Sequence, residues 1–165
     1  MIKTAILTVS DSCSAQKRDD VSGRTISSLL RGNEFGVCEY KIVADEQEDI
    51  RNELVHLADE LKVDIVFTTG GTGLGPRDVT PEATAAVCDR MVPGLAETMR
   101  LEGLKNTPNA MLSRAVAGIR GSTLIINLPG SPRGARESLE AILDVLPHAH
   151  DMLLGRGHNE HKHDH

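Results

Sequence analysis

The chain is poor in aromatic side chains, thiols and positive charge, and each shortage excludes something. It has 165 residues with no Trp, one Tyr and two Phe. Its core must therefore be aliphatic, which suits Val/Ile strands layered with helices. The three cysteines, Cys13, Cys38 and Cys88, are odd in number and form no C-x-x-C pair. Neither a disulfide framework nor a zinc site is expected. The net charge of −6 gives no general attraction to a phosphate backbone, so nucleic acid is not an expected partner. No apolar run approaches the length of a membrane span, and Met1-Ile2-Lys3-Thr4 leads straight into a strand-like run with no signal peptide. A cytoplasmic protein of one domain is expected, with no membrane partner.

What is present is an alternation of short apolar runs and helical stretches, without internal repeats. Thr4 to Val9 reads as a buried strand, Asp11 to Asp20 as a polar loop, and Gly23 to Leu30 as a helix with Ile26, Leu29 and Leu30 on one face. Tyr40 to Val43 reads as a second strand. Asp45 is placed to cap a helix running to about Leu61. Val63 to Thr68 is the strongest strand, followed by a glycine cluster and a helix start at Thr80-Pro81-Glu82, with Thr80 as cap. Gly94 to Leu104 reads as a helix, and Ala115 to Ile119 and Thr123 to Asn127 as strands around Arg120-Gly121-Ser122. Ser131-Pro132 starts a helix to about Leu146, with a helical turn from Ala149 to Leu154. This order predicts a mostly parallel sheet with helices on both faces, and a ligand outside the carboxyl ends of the strands. Residues 1–154 form the expected domain. Gly155 to His165, with four of the seven histidines, reads as a disordered tail.

The most informative segment runs from Thr68 to Pro81. Gly70, Gly71, Gly73 and Gly75 lie within six positions, so the backbone can approach a ligand closely and turn its amides toward it. Amides at a helix start favour a phosphate or carboxylate, and Thr69 and Thr72 add hydroxyls. Asp78 is an odd choice at an anion site unless a cation joins the two, and Mg²⁺ between carboxylate and phosphate is the usual solution. The residues alone leave two readings open. Glycine-rich turns also follow strands without a ligand, this one is neither a Walker A loop nor a G-x-G-x-x-G before a helix, and Asp78 also suits a helix cap.

Gly70-Gly71-Thr72-Gly73 with Pro76-Arg77-Asp78-Val79-Thr80-Pro81-Glu82-Ala83-Thr84 resembles the signature of the molybdopterin-binding Mog/MoaB family. So do Thr8 to Ser12 with Asp20 to Gly23, Val43 to Glu46, Met111 to Arg114, and Gly118 to Ser131. Together they span nearly the whole chain to about Leu154. Ala44 stands where many members have proline.

The resemblance implies a three-layer α/β/α fold that assembles as a homotrimer. It implies adenylyl transfer from Mg·ATP to molybdopterin with release of pyrophosphate, and hand-over of the product to a molybdate-inserting enzyme. Asp45 and Asp78 match the two catalytic aspartates and would hold Mg²⁺. Gly70, Gly71, Thr72 and Gly73 match the nucleotide loop, and Ser10 and Asp11 match positions lining the pocket. Asn127, Pro129 and Gly130, with Ser131, form a second strand-to-helix turn suited to an anion. Ser113, Arg114 and Ser122 match positions that contact molybdopterin, although Ser113 also suits a helix cap, Ser122 a turn and Arg114 a surface ion pair. The substrate's own phosphate is the nucleophile, so the cysteines read as packing residues. The alternatives are a module that binds molybdopterin or a partner without chemistry, and a MoaB-like member of uncertain activity.

Overall fold

A computed structural model describes residues 1–156 of the chain. The elements run β1 (Ile2–Val9), α1 (Asp11–Ser14), α2 (Val21–Leu30), β2 (Phe35–Val43), α3 (Gln47–Val55, prolonged by a wide turn over His56–Glu60), β3 (Ile65–Thr69) and α4 (Thr80–Val87). They continue with β4 (Arg90–Met91), α5 (Pro93–Leu104), a tight helical turn at Pro108–Leu112, β5 (Ala117–Arg120), β6 (Thr123–Leu128), α6 (Pro132–Ile142) and α7 (Leu146–Leu153). The six-stranded sheet has the order β2-β1-β3-β6-β5-β4. The first four of these are mutually parallel, and β5 is antiparallel to both its neighbours.

Side chains alternate across each central strand, and both faces are apolar. Ile6, Phe67 and Ile126 point to the face covered by α2, α5 and α6, where Ile26, Met99 and Leu139 meet them. Leu7, Val66 and Ile125 point to the face covered by α3 and α4, against Ile50, Leu54 and Ala83. The expected three-layer α/β/α arrangement is therefore observed, with one core on each side of the sheet.

Several boundaries differ from the sequence reading. The loop after β1 contains a short helix, because the Ser10 hydroxyl accepts the Cys13 amide at 3.2 Å. The second strand is longer than its Tyr40–Val43 apolar end, since parallel pairing with β1 carries it back to Phe35. Asp45 does not cap α3, which follows Glu46 with no side-chain cap bond. Thr80 is not a cap either: it is fully buried, and its hydroxyl donates to the Gly70 carbonyl at 2.9 Å. The last helix breaks after Ile142 into a tight turn and then α7. Gly155 (φ +72°) and Arg156 close α7 through amides that reach back to Met152 and Asp151. They thus belong to the helix end and not to the tail, and residues 157–165 lie outside the described residues. Cys13 is buried and Cys88 half-buried, but Cys38 is exposed on β2 and so packs against little.

Asn127, expected at a nucleotide site, is sealed inside β6 with no exposed surface. Its amide nitrogen donates to the hydroxyls of Thr68 (3.0 Å) and Thr84 (2.9 Å), and its oxygen accepts the Val116 amide (3.2 Å). The residue fastens β6 to β3, α4 and the approach to β5, and a ligand cannot reach it. Asn127→Ala leaves two buried hydroxyls and one half-buried amide without this partner and is expected to destabilise the protein by about 2–4 kcal/mol in urea unfolding.

Candidate functional site

The site lies at the carboxyl end of the parallel strands. Chain order reverses around β1, which carries β2 on one side and β3 on the other. Loops leaving the strands on either side of such a point diverge and open a crevice. Here they are Ser10–Asp11 after β1, Ala44–Asp45 after β2, Gly70–Asp78 after β3 and Pro129–Ser131 after β6.

The glycine loop is held by its carbonyls, which leaves its amides bare. Gly70 adopts φ +99° and Gly71 φ +68°, conformations that favour glycine. A Cβ on Gly70 would run into the Val9 carbonyl oxygen, and one on Gly71 into the Thr80 hydroxyl. The Gly71 carbonyl accepts the Thr80 amide at 3.1 Å, and the Thr72 carbonyl accepts the Arg114 amide at 2.9 Å. The Gly75 amide donates to the Asp78 carboxylate at 2.9 Å. The amides of Gly71, Thr72, Gly73 and Leu74 make no hydrogen bond within the described residues. Consecutive free amides of this kind form a concavity suited to phosphate oxygens. A Cβ on Gly73 or Gly75 would lie 2.9 Å from the Asp78 carboxylate, so both glycines are needed to seat that acid in the loop.

Asp45 and Asp11 clasp each other across the crevice. The Asp11 amide donates to Asp45 at 2.8 Å and the Asp45 amide to Asp11 at 3.0 Å. Arg77 grips Asp11 with two 3.0 Å hydrogen bonds and reaches Glu46 at 2.9 Å. That grip on Asp11 holds its carboxyl below the usual range. Asp45 behaves oppositely. Burial, opposed by the Asp11 amide and reinforced by the charges of Asp11 and Asp78, pushes its pKa above the ordinary value. The Asp45 oxygen that does not accept the Asp11 amide faces Gly71, 3.3 Å from where a Cβ would stand.

Two repelling carboxylates offer the oxygen ligands that a hard cation takes, and the free amides beside them suit phosphate oxygens. Among the described residues no three His, Cys, Asp or Glu side chains converge as metal ligands. A complete protein cage is therefore not formed, but one or two carboxylates completed by substrate phosphates is the common way of binding Mg²⁺. The residues present fit that ion.

Two cavities flank the ridge made by Gly70 and Gly130, where a Cβ on Gly130 would stand 3.2 Å from the Gly70 Cα. The larger, about 590 Å³, lies toward α5 and α6 and is lined by Thr72, Gly73, Met99, Arg100, Ser113 and Pro129 among others. The smaller, about 310 Å³, lies toward α1 and α2 and includes Ser10, Asp20, Thr69 and Gly130. Ser131 borders both, and its hydroxyl caps α6.

The structure thus gathers Ser10, Asp11, Asp45, Gly70, Gly71, Thr72, Gly73, Asp78, Ser113, Pro129 and Gly130 at one end of the sheet. Two expected contacts need correction. Ser122 is exposed in the turn joining β5 to β6, at the opposite end of the sheet, because β5 runs antiparallel to β6. One strand length, on the order of 17–20 Å, separates it from the crevice. Arg114 is occupied internally: it donates to the carbonyls of Gly73 (2.8 Å) and Asp78 (2.7 Å) and pairs with Glu82. It braces the glycine loop from behind. Sequence reasoning missed Arg100, which lies in the interior of a helix and outside every motif.

An open parallel sheet whose switch-point loop bares its amides beside two acids defines an anion-binding α/β protein. Comparison with known proteins narrows this class. Residues 5–148 match the family described as probable molybdopterin binding domain. A molybdopterin adenylyltransferase of Helicobacter pylori is 46% identical over 156 residues, which cover 93% of this chain and 89% of the relative. The crystal structure of the molybdopterin biosynthesis enzyme MoaB of Thermus thermophilus matches with a TM-score of 0.90 at 55% identity, covering 94% of this chain and 98% of that one. The molybdopterin biosynthesis Mog protein of Mycobacterium ulcerans matches with a TM-score of 0.87 at 40% identity, covering 93% and 99%. The chain belongs to the molybdopterin-binding domain family.

Two measurements test the geometry. Gly70→Ala forces a strained backbone against the Val9 carbonyl and is expected to cost about 2–4 kcal/mol in chemical denaturation. Asp45→Asn removes a charge that the fold disfavours. A raised folded pKa means stability is lost as pH rises from the unfolded value to the folded one. In metal-free protein the variant should therefore melt higher than the parent at neutral pH. The difference should vanish below about pH 4, where both states of the parent carry a protonated Asp45.

Proposed function

We propose that the protein is a molybdopterin adenylyltransferase of molybdenum cofactor biosynthesis, transferring AMP from Mg·ATP to the terminal phosphate of molybdopterin. The observation that carries this reading is the run of amides from Gly71 to Leu74, unpaired among the described residues, in a loop that has the carboxylates of Asp45 and Asp78 beside Gly71 and Gly73. Membership of the molybdopterin-binding family and the activity named for the Helicobacter relative supply the substrate.

An oxygen of the molybdopterin phosphate attacks the α-phosphorus of ATP. The bond from that phosphorus to the bridging oxygen breaks, and pyrophosphate leaves with the electron pair. The acceptor is already a phosphate monoester, so no side-chain nucleophile is required. Burial also raises the thiol of Cys88 to about 11, which leaves it protonated and inert. The amides of Gly71 to Leu74 orient the triphosphate and answer the charge that builds on it. Asp45 and Asp78 would hold Mg²⁺, which when bound supplies Lewis-acid stabilisation of the phosphate oxygens. Arg77 keeps Asp11 ionised and in place, so Asp45 remains aimed at the loop.

The reading carries with it a homotrimer and hand-over of the adenylylated product to a molybdate-inserting enzyme, as the resemblance to the family implies, and a cytoplasmic setting. None of the described helices is long and apolar enough to cross a membrane.

Purified protein with molybdopterin, ATP and Mg²⁺ should yield adenylyl-molybdopterin and pyrophosphate in equal amounts. Asp78→Asn should lower kcat by about 100-fold or more while the thermal midpoint stays close to that of the parent. Tight binding of molybdopterin with no turnover would instead mark a non-catalytic module, and an unchanged rate in the Asp78 variant would remove the metal role.

A further inference from the structure

The cavity of about 590 Å³ beside the glycine loop is lined mainly by apolar atoms, and Arg100 is the one cationic side chain among its lining residues. Arg100 sits on α5 with its neighbour Met99 in the core. One terminal nitrogen donates to the carbonyls of Ser113 (3.3 Å) and Ala115 (2.9 Å). Its Nε and other terminal nitrogen make no hydrogen bond within the described residues, and no carboxylate pairs with it there. The nearby arginines are committed elsewhere: Arg77 to Asp11 and Glu46, Arg114 to Glu82, and Arg133 to Glu137. The segment that anchors Arg100 lies directly against the loop, since the Arg114 amide donates to the Thr72 carbonyl.

We infer that Arg100 binds the phosphate of the acceptor substrate in this cavity and holds it beside the glycine loop. The inference rests on the adenylyltransferase reading and deepens it. The reaction brings two anions together, a nucleotide α-phosphate and an attacking phosphate. The free loop amides serve the first. The second needs its own donor, or charge repulsion would keep it away. A guanidinium fixed by two backbone carbonyls is immobilised before the ligand arrives and still presents two donor nitrogens, which suits a phosphate. The walls are mainly apolar, and the carboxylate among the lining residues, Glu137, is paired with Arg133, so the charge of Arg100 is less screened there than on a polar surface.

Steady-state rates of the full chain test this, with molybdopterin and ATP varied separately. Arg100→Gln removes the charge and keeps a donor for the two carbonyls. It should raise KM for molybdopterin about 10- to 100-fold and change KM for ATP by less than about twofold. Arg100→Lys, which keeps the charge, should recover most of the loss. Wild-type KM for molybdopterin should rise with salt, and the glutamine variant should show a shallower rise. A parallel rise in both KM values, no recovery by lysine, or an equal salt slope in the variant would reduce Arg100 to a prop for Ser113 and overturn the inference. If neither variant folds, a wild-type KM for molybdopterin that is indifferent to salt overturns it, and one that rises with salt supports it. Wild-type protein that forms no adenylylated product overturns the functional reading, and the inference falls with it. Product formed with KM unchanged in Arg100→Gln overturns the inference alone.

Discussion

The site depends on how closely two strand-end turns approach each other. Gly70 lies against the Val9 carbonyl on one side and the Gly130 backbone on the other. The buried Thr80 hydroxyl holds the Gly70 carbonyl, and the Thr69 hydroxyl holds the Pro129 carbonyl at 2.7 Å. Each of these bonds uses a carbonyl. From Gly71 to Gly73 the loop is likewise held through its carbonyls, by Thr80 and Arg114, and the amides from Gly71 to Leu74 keep no partner among the described residues. Had the same stretch been held through its amides, it would be as rigid and would bind no anion. The parallel pairing of β1, β3 and β6 sets the three strand ends at one level and makes the approach possible.

An acidic protein that binds anions must keep its own charges from interfering. This chain does so by local pairing. Arg77 pairs with Asp11 and Glu46 and offsets part of their charge, and Arg114 pairs with Glu82 while bracing the loop carbonyls. These exposed pairs contribute little to stability. Their effect is positional: they fix the outer wall of the crevice and weaken the repulsion that Asp11 and Glu82 would exert on a phosphate. The net charge of −6 thus disfavours extended polyanions while leaving room for one phosphate group held by backbone amides.

The sheet and its layers were legible in the sequence because buried parallel strands are short β-branched runs. Ile65 to Thr69 and Thr123 to Leu128 are such runs, each ending in a glycine turn. The cradle was legible too, because four glycines in six positions suit close backbone approach far better than they suit a helix or a strand. What could not be read was the direction of individual polar side chains. Asn127 precedes a Pro-Gly turn, as a ligand contact would, yet its strand position points it into the sheet. Ser122 lies between two recognisable strands, and only the antiparallel turn of β5 shows that it belongs to the far end. Arg114 and Arg100 are both arginines near the pocket. Which is spent on a carboxylate depends on Glu82 being in the first turn of α4, within reach of the first and not the second.

Two half-buried aspartates at the same end of the sheet show how a functional acid differs from a structural one. Asp20 accepts the hydroxyls of Thr8 and Tyr40 and the amide of Gly23. Its charge is answered by three donors, and it ties α2 to β1 and β2. Among the described residues Asp45 accepts only the Asp11 amide; it is partly buried and faces two like charges, so the fold disfavours its ionised form. No packing requirement accounts for that arrangement, since an asparagine would accept the same amide without the repulsion. A carboxylate kept where its own protein opposes it, beside amides without partners among the described residues, is the arrangement on which the proposed Mg²⁺ role rests. A divalent cation carrying phosphate oxygens would satisfy both groups at once.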